Sequence, residues 1–358
     1  MSLGELSLSS KIRDYKVYFT ETTDFLLKLQ DLPNCVYVAD SRVWDHHADG
    51  CLSQLKSRDV IVLSIDEERK NLETVQDLYE QIIQRSPRRS TTIVSIGGGI
   101  TQDITGFAAS TVYRGVNWVF VPTTLLAQAD SCIGSKTSLN FKHYKNWIGT
   151  FYPPSEVYIY SPFLKTLDPL DFFSGLGEVA KLHLMGGEQR TKELIAQLPA
   201  ILQQDDKALL EAVHQSLLIK QSYVEGDEFD TGRRNLLNFG HCFGHAIESA
   251  TDFAVSHGQA VVLGMLLANV VSKKRGILSS RQERFLAENA LLPILKVNVQ
   301  DLMLDQNKII EAMKQDKKRK GAELALVMIT DSYELLKVDD LIEAEVSEAL
   351  SQFFETVR

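Results

Sequence analysis

Up to about Tyr160 the chain alternates short β-branched runs with helix-patterned stretches, and from about Asp168 the alternation stops. Cys35–Ala39, Asp59–Ser64, Thr91–Ile96, Trp118–Pro122 and Glu156–Tyr160 read as buried strands, and the spacing of apolar residues predicts a helix over Asn71–Arg85. Strands that alternate with helices of that length imply a parallel sheet with crossover connections. Pro153, Pro154, Pro162 and Pro169 then punctuate a join. Beyond it come long helical patterns: Phe173–Met185, Gln189–Leu198, Lys207–Val224, Leu237–Thr251, His257–Lys274 and Ser280–Asn289. Leu324–Ile329 is one candidate for an added strand. The expected organisation is an α/β domain over residues 1–165 and an all-α domain over 166–358.

The third strand runs into Gly97-Gly98-Gly99, ahead of a helical stretch over Gln102–Thr111. Successive glycines there let the backbone approach a diphosphate, and the following helix N-terminus offers free N–H groups. A plain tight turn reads the same way, since the spacing is not GxGxxG. A valine at Gly98 would fill the space a diphosphate needs and would resist any positive φ. Asp40, at the end of the first predicted strand, can accept from ribose hydroxyls or cap a helix.

In the second half, Asn238-Phe-Gly-His-Cys-Phe-Gly-His245 stacks two histidines on one helix face, and His257 follows after a polar turn over Ser249–Ser256. Imidazoles suit a zinc-like divalent ion, and an open catalytic site usually takes three protein ligands, often two His and one carboxylate. A distant Glu or Asp is therefore required. Gly240, Gly244 and Gly258 each give up about 1 kcal/mol of helix propensity. That cost suggests a backbone passing close to something bound.

A formal charge of −9 argues against nucleic-acid and anionic-membrane partners. The four cysteines show no paired spacing and fit a reducing compartment. The longest apolar run, Ala260–Val271, is too short to span a bilayer, which makes the cytoplasm the expected location.

Taken jointly, Gly97-Gly-Gly-Ile-Thr-Gln-Asp103, Tyr113-Arg-Gly115, Val121-Pro-Thr-Thr-Leu-Leu-Ala-Gln-Ala-Asp130, Lys136-Thr, Lys145-Asn146, Gly177-Glu-Val-Ala-Lys181, Asn238-Phe-Gly-His and His257-Gly resemble the 3-dehydroquinate synthase family and its relatives, the sugar-phosphate cyclases. The resemblance spans about Asp40 to Lys318. It implies an N-terminal Rossmann-like NAD-binding α/β domain, a helical metal-binding domain, a homodimer and a sugar-phosphate substrate. It makes Glu178, His241 and His257 the ligands of zinc or cobalt and places His245 near the substrate phosphate instead. It implies NAD contacts from Asp40, Glu67, Lys70, Gly98, Gly99, Asp103, Thr123, Thr124, Asp130, Lys136 and Lys145. Lys136, Asn146, Lys181, Lys220, Arg234, Asn238, His245 and Lys317 would then line the reacting substrate, and Arg114 would reach its phosphate from a partner subunit.

The chemistry implied is oxidation of a ring hydroxyl by NAD, loss of phosphate, reduction, and aldol closure of a carbocycle. A divalent ion can acidify the hydroxyl that loses hydride, and several cations must offset a doubly charged phosphate. Lys220, Arg234 and Asn238 favour a substrate with a carboxylate, 3-deoxy-D-arabino-heptulosonate 7-phosphate. Cyclases for sedoheptulose 7-phosphate or glucose 6-phosphate share the same chemistry; more distant readings are a metal-dependent alcohol or glycerol dehydrogenase and an inactive NAD- and metal-binding regulator. The chain departs from the family pattern at Gln102, at His143-Tyr144, at Gln259, and in the loop usually read Gly-Gly-Lys-Thr, which here is Gly134-Ser135-Lys136-Thr137.

Overall fold

The structure is a computed structural model that describes residues 3–142, 144–298, 305–314 and 324–357, with side chains through Phe353. The chain forms two compact units. The first holds Met1–Leu167 together with Val224–Phe229, and the second holds Asp168–Tyr223 and Asp230–Arg358.

The first unit contains β1 (Glu5–Leu8), β2 (Tyr15–Phe19), α1 (Asp24–Gln30), β3 (Cys35–Asp40), α2 (Ser41–His47), β4 (Val60–Leu63), α3 (Leu72–Gln84), β5 (Thr92–Gly97), α4 (Gly99–Thr111), β6 (Asn117–Pro122), β7 (Lys136–Phe141), β8 (Tyr144–Phe151) and β9 (Glu156–Ile159). Seven strands make one sheet in the order β1-β2-β9-β6-β5-β3-β4, and β7 pairs with β8 as a separate hairpin. Every pairing from β4 across to β2 is parallel, and only the β1–β2 edge is antiparallel. β5 is buried at all six positions, Thr92 and Ser95 included, as expected for a β-branched strand covered on both faces. The chain leaves β3 for β4 on one side and β5 for β6 on the other. With right-handed crossovers, the carboxyl ends of β3 and β5 flank the switch point where open α/β sheets bind ligands.

In the first unit, the strands that sequence patterning left out are β1, β2, β7 and β8. β2 alternates buried and exposed positions as Tyr-Lys-Val-Tyr-Phe, a period-2 pattern too short to stand out. The hairpin is held by side chains rather than by an apolar run. Thr137 sits under α4 where a Cβ on Gly106 would be 2.7 Å from its methyl.

The second unit comprises α5 (Pro169–Met185), α6 (Glu188–Leu202), α7 (Asp206–Val224), α8 (His241–Ala250), α9 (His257–Lys274), α10 (Ser280–Leu286), α11 (Gln306–Lys314), β10 (Leu324–Ile329), β11 (Leu335–Leu341) and α12 (Glu343–Val357). It is helical with one antiparallel strand pair, β10–β11, so the expected all-α description is corrected by that pair. The last residue of α7, Val224, already belongs to the first unit. α9 is the core of this unit: Gly258 to Ser272 is buried on every face, with α5, α8, α12 and β10 packed around it. Each buried aliphatic side chain there contributes about 1.5–3 kcal/mol relative to exposure.

The helix expected over Leu237–Thr251 is broken. Arg233–Asn238 forms a 3-10 turn, Gly240 takes φ +78°, and α8 starts at His241. A side chain at Gly240 would meet Val261 O and Met265 Cγ at 2.7 Å, so the turn requires glycine for φ and for space.

Candidate functional site

Glu178 lies in the middle of α5, a helix that starts cleanly because Asp168 accepts from Leu170 N at 2.8 Å and Pro169 opens the first turn. α5 crosses α9 with no side chain between the backbones. A Cβ on Gly177 would be 2.8 Å from Gly258 C, and one on Gly258 would be 2.9 Å from Ser174 Cα. α8 meets α9 in the same way, with Gly244 against Ala260 and Val261. These glycines pass close to another helix rather than to a ligand, which corrects the reason given from sequence. Their effect is to bring one carboxylate and two imidazoles together.

His257 Nε2 lies 3.1 Å and His241 Nε2 3.5 Å from the same Glu178 Oε1. Three donors about 2.1 Å from a tetrahedral ion stand roughly 3.4 Å apart, so the set fits a divalent cation. Second partners fix both rings. His241 Nδ1 sits 3.2 Å from Phe239 O, and His257 Nδ1 3.2 Å from Glu248 Oε2. Each outer contact occupies Nδ1 and leaves Nε2 for an ion, the arrangement found around ligating histidines.

The electrostatics agree. Burial alone would push Glu178 up, but Lys181, His241 and His257 outweigh it and hold its carboxyl well below the usual range. Burial and Lys181 depress His241, favouring a neutral ring. His257 is also opposed by burial, yet bonds to Glu178 and Glu248 raise it to about 10, so a proton occupies the place a cation would take. Lys181 Nζ meets Glu178 Oε2 at 2.6 Å. His245 is exposed on α8, its ring 5.2 Å from that of His241, and it forms a second cluster with Glu248 and His257.

In the first unit, α4 begins directly at Gly99, with Gly98 as its N-cap at φ −84° and ψ −168°. Gly98 is extended, so positive φ is not what excludes a side chain there. Thr124 is: a Cβ would lie 2.8 Å from its methyl. Thr123 N donates to Gly97 O at 2.9 Å, while the buried hydroxyls of Thr101 and Thr123 have no hydrogen-bond partner among the described residues. A helix N-terminus, a turn that a Cβ would fill and two orphaned hydroxyls fit a phosphorylated cofactor.

Family models described as 3-dehydroquinate synthase N-terminal and C-terminal match residues 60–174 and 175–319. The chain belongs to the 3-dehydroquinate synthase family. The curated 3-dehydroquinate synthases of Campylobacter curvus and Campylobacter concisus are 34% and 35% identical, each over 97% of this chain and 99% of the relative. Among solved structures, a 2-epi-5-epi-valiolone synthase from Streptomyces hygroscopicus with NAD+ and Zn2+ bound is 25% identical at a TM-score of 0.85, covering 98% of this chain and 99% of that one. A 2-deoxy-scyllo-inosose synthase complexed with carbaglucose-6-phosphate, NAD+ and Co2+ shares the fold at a TM-score of 0.82 and 22% identity, over 97% and 99% of the two chains.

Within this family framework, most of the expected nucleotide residues fall into two groups, the second of which also takes in Asn146, expected at the substrate. Asp40, Gly98, Gly99, Thr123 and Thr124 sit at the carboxyl ends of β3, β5 and β6. Asp40 caps α2 by accepting from Arg42 N at 2.8 Å, so the capping alternative is realised in this structure. Lys70, Asp103, Asn146, Glu67 and Lys145 instead form one network around the β7–β8 hairpin. Lys70 Nζ donates to Asp103 Oδ2 at 3.0 Å and to Asn146 Oδ1 at 2.6 Å, and Glu67 lies 3.9 Å from Lys145. Burial pushes Asp103 up despite Lys70. Asp130 lies in the π turn Ala127–Ser131, and Lys136 opens β7. Arg114 is exposed at φ +66°.

Lys181, Lys220 and Arg234 are all buried in the second unit, on α5, α7 and the 3-10 turn that also carries Asn238. Lys317 lies outside the described residues. Sequence reasoning missed Glu248, Ser138 and Asn140. Glu248 was within reach of it, because positions 241, 245 and 248 share one helix face. Ser138 and Asn140 bond Asp103 and Glu67 across the fold and carry no local signal.

Proposed function

We propose that this protein is a 3-dehydroquinate synthase that converts 3-deoxy-D-arabino-heptulosonate 7-phosphate to 3-dehydroquinate and phosphate, using NAD in the first unit and a divalent cation on Glu178, His241 and His257. The observation that carries the reading is the convergence of both Nε2 atoms on Glu178 Oε1, each ring set by an outer partner, in a chain matched end to end by curated synthases. When bound, NAD accepts and returns hydride and the cation acidifies the hydroxyl being oxidised.

The chain's own residues bind and orient. Lys181, Lys220 and Arg234 place three buried cations within the helical unit, where electrostatic stabilisation is stronger than in water. Arg234 offers a planar fork to the carboxylate, and lysines offer point charges to the phosphate. The leaving phosphate serves as its own base, so the protein works by alignment and charge neutralisation. In a homodimer, Arg114 serves the phosphate of the substrate held by the partner subunit.

The discriminating experiment presents the purified protein, with NAD and zinc or cobalt, with three sugar phosphates separately. Phosphate release and the carbocyclic product are followed by NMR. Turnover of the heptulosonate is expected. Preference for sedoheptulose 7-phosphate or glucose 6-phosphate, with the acid unreacted, would assign the chain to a sister cyclase. Stoichiometric NADH accumulation would indicate a net dehydrogenase.

A further inference from the structure

The segment Val224–Phe229 returns from the helical part of the chain into the first unit and brings Glu228 with it. Glu228 is 6% exposed, and its carboxylate accepts from at least three donors. Oε1 accepts from Ser10 Oγ at 2.6 Å and from Ser135 Oγ at 2.9 Å, and Oε2 accepts from Lys11 N at 2.7 Å. Ser135 immediately precedes Lys136 and holds φ +64°, in the left-handed region. Its carbonyl accepts from Tyr152 N at 2.6 Å, closing the hairpin next to the Lys136–Phe151 pair. Gly134 N donates to the Tyr15 hydroxyl at 3.0 Å on the other side of the turn.

A serine in this conformation is strained, whereas a glycine there would not be. Something must hold the turn. A hydroxyl donated to a buried carboxylate is a charge-assisted hydrogen bond of the strong kind, and Ser135 supplies one. We infer that Glu228 is a positioning residue for Lys136: through Ser135 it holds the left-handed turn that sets where Lys136 enters β7. The inference rests on the reading above that Lys136 contacts cofactor or substrate. Nothing in the sequence joins Glu228 to Ser135, which are 93 residues apart.

The test compares Ser135→Ala, Ser135→Gly, Glu228→Gln and the double variant Ser135→Gly/Glu228→Gln in the full chain with NAD and zinc. Alanine keeps the strain and loses the bond, so KM for the sugar phosphate rises about tenfold while kcat stays within about threefold. Glycine tolerates positive φ, so KM stays within about threefold of the parent. Glu228→Gln resembles Ser135→Ala, because an amide cannot accept from all three donors. Its effect shrinks below threefold in the Ser135→Gly background. Hydrogen exchange at the Tyr152 amide gives a second readout that needs no turnover. Protection falls at least tenfold in Ser135→Ala and Glu228→Gln and is kept in Ser135→Gly. If the parent turns over no sugar phosphate, the functional reading fails and the exchange data alone decide the latch. Equal losses in the alanine and glycine variants, or a lowered Tm with KM and exchange unchanged, overturn the proposal.

Discussion

Replacing Gly177 by alanine puts a methyl where α5 and α9 cross, one residue from Glu178 and opposite the residue after His257. The new Cβ would lie 2.8 Å from Gly258 C and 3.1 Å from Gly258 Cα, all of it backbone that cannot rotate away. Ordinary contact begins near 3.4 Å, so the crossing must open by at least 0.6 Å. Alanine favours a helix by about 1 kcal/mol over glycine, while overpacking costs roughly 1–3 kcal/mol, which leaves a net loss of about 0–2 kcal/mol. The metal site feels it more than the fold does. Ligand distances tolerate only about ±0.2 Å, and a shift several times larger at Glu178 should weaken cation binding by a factor on the order of 10–100. Zinc affinity by chelator competition and Tm in excess chelator separate the two effects. Gly50→Ala, whose Cβ would be 3.7 Å from its nearest neighbour, is the neutral control. A Gly177→Ala protein that binds zinc within twofold of the parent would refute the claim that backbone contact between these helices sets the site.

Other perturbations follow from the same geometry. Glu248→Gln removes the carboxylate on His257 Nδ1 and should cost about 10–100-fold in zinc affinity by chelator competition. Gly98→Val should abolish NAD binding by fluorescence titration because Thr124 leaves no room, and Gly98→Ala with Thr124→Ser should bind better than Gly98→Ala alone. Arg234→Lys should raise KM for the heptulosonate at least tenfold in the phosphate-release assay, since one ammonium cannot reproduce a guanidinium fork. In metal-free protein, the raised pKa of His257 stabilises the fold fully below the unfolded value of about 6.5, and that contribution is lost as pH rises through about 10. The Tm advantage of metal-free parent over His257→Gln should therefore shrink between pH 7 and pH 10, and a constant difference would contradict the charged His257 contact.

What the sequence made legible was local, and what it hid was the meeting of distant segments. β5 and α9 could be read closely because each is predominantly apolar and covered by neighbours on every face, leaving no polar stripe to blur its ends. β10 was visible for the same reason, whereas β11, with Lys337, Asp339 and Asp340 all exposed, was not. At the site, spacing grouped His241 with His245 and left His257 as a third candidate, whereas the choice of His241 and His257 over His245, and Glu178 63 residues upstream of His241, came only from the family motifs. The glycines show how a correct suspicion can carry the wrong cause. Their helix cost is real, and it is met by close passage of α5 and α8 against α9, so the same positions that weaken each helix singly bring the three ligands within range. Gly177, Gly244 and Gly258 therefore belong to the geometry of the proposed metal site through helix contact alone, and a chain that kept Glu178, His241 and His257 but lost those glycines would be expected to keep the motif and lose the site.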